Sequence, residues 1–258
     1  MKKKILLITA ALLVGVGIYS CKKELNPTKD VVTKGPAAAT PAYLQSIVLG
    51  TYTQLQGLTA NNAMLLTSEE TTDALIVPGR IGGDWADGGV WQQLWLHTYP
   101  PSHGNISGAW DNAYNTIGSI NITISLLQGL PQTNATAYSI AELKTLRGYF
   151  YFLLVTNYGN VPLLTSTTQD ASKVATSSAT DVFNFLTTEL KATAPVLSAK
   201  NPSQDGAQYG RLNRWGAYFL LAKLYLNQNA ITGSTGTEGY TACSAYCDSI
   251  IAKGGYTM

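Results

Sequence analysis

Apolar residues recur at helical intervals along most of this chain. Leu44, Ile47, Val48, Tyr52 and Leu55 mark a first helix that Gly57 stops. Trp110, Tyr114, Ile117, Asn121, Ile124 and Leu127 form the stripe of a second, which ends near Gly129-Leu130-Pro131. A third carries Leu143, Leu146, Phe150, Leu153 and Leu154, with Tyr149, Phe152 and Val155 on its other faces. A helix apolar around most of its circumference must be central. Gly159 is placed for a left-handed cap on it, with Pro162 just beyond. Ser178 opens a fourth helix, with Asp181 three residues on as a capping-box variant, and Val182, Leu186 and Leu190 carry it toward Leu197. Asn213 caps a fifth, through Trp215, Tyr218, Phe219, Leu221, Leu224 and Tyr225, and a sixth runs from Tyr240 to Lys253 before Gly254-Gly255.

From residue 110 onward the connections are short or medium. The expected fold class is all-α, built of TPR-like helix-turn-helix pairs, with a long irregular insert between the first and second helices. The second helix is expected to pair with the third and the fourth with the fifth. The sixth then lacks a partner, so residues 41–258 read as the N-terminal part of a larger helical domain.

The first residues depart from this pattern. Lys2-Lys3-Lys4, the apolar run from Ile5 to Ile18, and Ser20 before Cys21 read as an export signal over residues 1–20. The run is shorter than the roughly 20 apolar residues of a membrane-spanning helix. Cys21 followed by Lys22-Lys23-Glu24 points to a lipoprotein signal, with Cys21 as the acylated residue; an ordinary cleaved signal with an incidental cysteine is the alternative. Two or three acyl chains anchor a protein stably to a membrane. Residues 21–40, with Pro27, Gly35, Pro36 and an alanine-rich stretch, lack periodicity and read as a flexible tether.

Composition narrows the ligand. Charged residues are 12% of the 258, against about 25% in typical domains. Removing Lys2, Lys3 and Lys4 from 17 basic residues leaves 14 against 15 acidic ones. No basic patch suggests nucleic acid, whose binding rests on Lys and Arg. A surface rich in Asn, Thr, Ser, Gln and Tyr suits neutral ligands. Beyond Cys21, Cys243 and Cys247 lie four apart in the sixth helix; their nearly parallel side chains disfavour a disulfide, and two thiols alone make a poor zinc site, so they read as small buried residues.

Residues 58–109 are too long for a plain connection and form the candidate functional segment. Within it, Arg80, Asp84, Trp85, Trp91 and Trp95 are the candidate ligand-binding residues, with Asp87, Gln92 and Gln93 as further polar partners. An indole packs against the C–H face of a sugar ring, while amides, carboxylates and a guanidinium meet its hydroxyls. A second reading stands beside this one: the tryptophans anchor the loop, with Trp91 and Trp95 as a buried i, i+4 stripe. Trp110 and Trp215, on helix stripes, read as core.

Catalytic patterns are thin. His97 and His103 flank Tyr99-Pro100-Pro101 at a spacing unsuited to one helix face, and no phosphate loop or nucleophile elbow occurs. Glu69, Glu70 and Asp73 lie too close in sequence to face each other across a glycosidic bond and read as solvated or capping carboxylates. Asp84 and Asp87 lack the regular acidic spacing of a calcium loop. No cofactor is expected. The Asn-x-Ser/Thr pattern at Asn121 falls on a helix stripe and reads as accidental.

The stretch Leu146-Arg147-Gly148-Tyr149-Phe150-Tyr151-Phe152 through Thr156-Asn157-Tyr158-Gly159-Asn160-Val161-Pro162-Leu163-Leu164 resembles the signature of the SusD/RagB outer-membrane lipoproteins of Bacteroidota. Gly210-Arg211-Leu212, the Trp110 to Asn121 helix and the closing Ala245 to Met258 stretch are similar to further segments of that family. The resemblance implies a cell-surface, lipid-anchored protein of the outer membrane, not an enzyme. Such a protein binds oligosaccharide over a SusC-like TonB-dependent transporter and helps pass it to the barrel for nutrient uptake. It also implies a scaffold of TPR-like helix pairs, and ligand contacts in the loop after the first helix. Family members run longer than this chain. A helical docking lipoprotein that binds no glycan is the alternative function.

Overall fold

A computed structural model describes residues 40–59, 63–79, 85–201, 206 and 209–256 of the chain. All belong to the compact unit that begins at Ala39. The proposed signal, Cys21 and the tether up to residue 39 lie outside the described residues.

The helices follow the hydrophobic pattern closely. Helix α1 spans Pro41–Tyr52, with Pro41 in its first turn and Thr40 accepting the Tyr43 amide as N-cap. It does not end at Gly57: the chain tightens into a 3-10 turn over Thr53–Leu58. Two short helices, α2 (Met64–Glu70) and α3 (Val90–Trp95), lie in the insert. Two long ones follow, α4 (Gly104–Gln128) and α5 (Asn134–Tyr158). Thr133 caps α5, whose polar first turns carry no stripe that would betray them. Gly159 closes it with φ 73° and ψ −108°, a positive φ outside the left-handed helical region expected.

Helix α6 (Ala179–Thr193) starts on Ser178, whose hydroxyl accepts the Asp181 amide and donates to the Asp181 carboxylate. Helix α7 (Arg214–Leu226) starts on Asn213. The short α8 (Gln228–Thr232) leads into α9 (Glu238–Lys253). Strands β1 (Val161–Pro162) and β2 (Thr176–Ser177) pair antiparallel in a two-stranded ladder.

Successive long helices pack on one another, α4 on α5, α5 on α6, α6 on α7, giving the all-α, TPR-like stack. Helix α5 is the centre, with Leu143, Leu146, Phe150, Tyr151 and Leu154 at 2% exposure or less. The last helix is not left alone: α9 lies along α7, and Tyr246 packs on Tyr218 and stacks on Tyr225. Trp215 is core as expected, its indole N–H bonded to the Ala199 carbonyl at 2.6 Å. Trp110 is only half-buried, against Tyr114 and Tyr158 at 4.8 and 5.1 Å. Cys243 and Cys247 are half-buried free thiols rather than buried ones, on a helix that packs by one side along α7.

The signature stretch has a physical job. After α5 the chain runs extended past the helices, and its backbone needs partners that a two-residue ladder cannot give. Side chains supply them. Tyr114 donates to the Pro162 carbonyl at 2.8 Å, and Asn121 to that of Leu164 at 2.9 Å. Tyr151 donates to the Leu164 carbonyl and accepts its amide. Arg147 donates to the Thr165 carbonyl at 2.7 Å. Asn121 is therefore a buried structural donor, closed to modification. Burial pushes the phenols of Tyr114 and Tyr151 well above their usual range, and that of Tyr158 up to about 12 with Asp111 adding to the shift, so all three stay protonated donors.

Candidate ligand-binding site

The insert is organised by its polar side chains. Glu70, at the end of α2, is fully buried and accepts the Val77 amide on Oε1 at 2.8 Å. It is therefore not one of the solvated carboxylates expected, because the loop folds back over it. His97 Nε2 donates to the Thr71 carbonyl at 2.9 Å and His103 Nε2 to that of Val90 at 3.1 Å. Each histidine fastens one stretch of irregular backbone to another.

A groove of about 480 Å³ opens on this segment. One wall is the extended stretch Ile76–Gly79, a second the turn from Trp85 to Gly89, and a third the Gln92 and Trp95 face of α3. Its described lining contains no charged side chain; Gln92 is the sole polar one, beside two indoles. That size and composition suit a small uncharged ligand with apolar faces.

Helical geometry explains which tryptophans reach it. At about 100° per residue, Leu94, Trp91, Trp95 and Gln92 follow one another around α3, so Trp95 sits at the edge of the Trp91–Leu94 face, on the side toward Gln92. Trp91 and Leu94 point inward, at 3% and 0% exposure, and Trp95 is 45% exposed at the groove. The single buried stripe of Trp91 with Trp95 is thus split. Trp91 does not line the groove; it lies beneath Trp85, ring centroids 5.9 Å apart and tilted by 60°, with its indole N–H bonded to Asp87 Oδ2 at 2.7 Å. Trp85 is 46% exposed and lines the groove. Arg80 and Asp84 lie outside the described residues.

The turn that presents Trp85 is strained. Trp85 and Asp87 have φ of 57° and 39°, and Gly88 and Gly89 follow at 67° and 86°. The two glycines adopt this region freely, whereas a bulky residue there costs on the order of 1–3 kcal/mol. Such strain persists where surrounding contacts impose it and clusters at binding sites. The Ile76–Gly79 wall was missed in the sequence, where nothing but the Pro78-Gly79 pair marks it.

A stack of helix pairs carrying an irregular insert, with an aromatic groove free of charged side chains among the described residues, defines a helical-repeat protein of TPR-like class. The chain belongs to the SusD-like family described as starch-binding and associating with the outer membrane, whose pattern matches residues 37–226. A SusD-like protein of Bacteroides ovatus is 29% identical over 52% of this chain and 25% of its own length. Two solved structures share the fold. Surface glycan-binding protein A from Bacteroides uniformis has a TM-score of 0.71 at 21% identity, over 85% of this chain and 48% of its own. Surface glycan-binding protein A from Bacteroides thetaiotaomicron, in complex with laminarihexaose, has a TM-score of 0.68 at 22% identity, over 84% and 44%. The chain spans about half of the length of these two structures.

Proposed function

We propose that this chain binds a neutral oligosaccharide in the Trp85–Trp95 groove, without catalysing its hydrolysis. The observation that carries the reading is the display of two half-exposed indoles in one groove free of charged side chains among the described residues, one of them held at positive φ. Each indole takes the C–H face of a pyranose, and Gln92 with nearby backbone groups meets the hydroxyls. Arg80 and Asp84, outside the described residues, belong to the same proposal as hydroxyl partners. Trp91 supports Trp85 from below and leaves the list of contacts. Among the described residues no carboxylate lines the groove, and Glu70 is buried.

Lipidation at Cys21 would hold the protein on the outer membrane, at the cell surface. There it would deliver oligosaccharide to a SusC-like TonB-dependent transporter for nutrient uptake. The exposed Leu75, Ile76 and Leu96 around the groove favour a second reading, a docking surface for such a partner without glycan.

Titration calorimetry with neutral oligosaccharides, laminarihexaose among them, tests the proposal. Trp85→Ala and Trp95→Ala should each weaken binding about tenfold, about 1.4 kcal/mol, with the melting temperature unchanged. Unchanged affinity in both variants would sink it.

A further inference from the structure

We propose that Asp87 is a positioning residue for the groove, fixing the exposed face of Trp85 through Trp91. The inference rests on the glycan-binding reading. Of the five residues in the turn from Trp85 to Gly89, four line the groove, and Asp87 does not. Its carboxylate is turned back to Trp91, which sits four residues later in α3 and is buried. That indole N–H is a donor only, so burying it requires an acceptor, and Asp87 supplies one. The bond ties the left-handed turn to the first turn of α3. Trp91 in turn carries the ring of Trp85 against its own at a fixed tilt. An exposed tryptophan on an untethered glycine-rich turn would sample many orientations and lose ordering entropy on binding sugar; a braced one loses less. A carboxylate in a glycan-binding loop is ordinarily assigned to sugar hydroxyls. Here it acts one step removed, by holding the stacking platform.

Two coupled indoles at this separation give an exciton couplet in the far-ultraviolet circular dichroism spectrum, independent of any ligand. Trp85→Ala should abolish the couplet and so assign it to this pair. Asp87→Ala should weaken the couplet and lower the affinity for laminarihexaose about tenfold, with the helix signal retained. Asp87→Asn keeps an acceptor oxygen toward Trp91 and should recover most of both. Trp91→Phe keeps a buried ring without the N–H donor and should reproduce the affinity loss. An affinity loss in Asp87→Ala with the couplet intact would overturn the proposal, because Asp87 would then touch sugar directly. So would wild-type affinity in Asp87→Ala or in Trp91→Phe. If the wild-type protein binds none of the sugars while the couplet still depends on Asp87, the glycan reading fails and the linkage to Trp85 stands.

Discussion

Arg211→Ala is expected to destabilise the protein by about 3–5 kcal/mol, the cost of leaving one member of a buried ion pair alone. Glu142 on α5 is fully buried. Arg211 grips it with two nitrogens, Nε to Oε1 at 2.9 Å and a terminal nitrogen to Oε2. The Tyr52 hydroxyl donates to the same Oε1 at 2.7 Å and accepts the Leu212 amide at 2.8 Å. One carboxylate thus joins α1, α5 and the approach to α7, three segments far apart in sequence. Burial, with the neighbouring Glu142 charge adding to it, drives the Tyr52 phenol far above its usual range, so it stays a neutral donor to Glu142 and supplies no positive charge in place of the lost guanidinium. Urea unfolding should show a lower midpoint at unchanged slope. The double variant Arg211→Met with Glu142→Leu should recover most of the loss, since replacing both members of a buried pair by apolar groups is often neutral. A single variant as stable as the parent would mean that the pair contributes nothing.

Arg147→Ala should be comparably costly, about 3–5 kcal/mol, for a different reason. Its guanidinium is 2% exposed as a residue and joins three elements: Asn121 on α4 at 2.6 Å, the Thr165 carbonyl at 2.7 Å, and Glu189 on α6. Removing it strands a buried amide oxygen and a backbone carbonyl, and leaves the Glu189 carboxylate only the longer Lys144 contact at 3.9 Å. The stretch after α5 should loosen first, so amide exchange at Leu164 should accelerate more than in α7. Arg147→Lys should fail to rescue, because an ammonium cannot reproduce the planar fork that meets all three acceptors. Retained protection at Leu164 in Arg147→Ala would show that Tyr151 and Asn121 suffice to hold the strap.

Much of this fold was legible because its long helices carry strong stripes and side-chain caps. Ser178 and Asn213 start α6 and α7 where the sequence placed them. The first turns of α5 were hidden by small and polar residues, which pack through Thr136 and Ser139 rather than through a hydrophobic stripe. Helices α2 and α3, at 7 and 6 residues, are too short to show a period. In the groove, residue type pointed to Trp85 and Trp95 but not to their division from Trp91. That division follows from tertiary packing: Trp91 and Leu94 are covered, whereas Trp95, about 40° further round α3, is left half-exposed at the groove. Glu70 was misread because its burial comes from the fold-back of Val77, a contact between residues that no local pattern links.

On the proposed function, neutral oligosaccharide seats between Trp85 and Trp95. The most direct test is to follow the five indole N–H resonances in a nitrogen-15 correlation spectrum of the whole chain while laminarihexaose and other neutral oligosaccharides are added. The prediction is saturable shifts at Trp85 and Trp95, a smaller one at Trp91 beneath them, and none at Trp215 in the core. Saturable binding that leaves Trp85 and Trp95 unmoved, or no shift at either with any sugar, would contradict it.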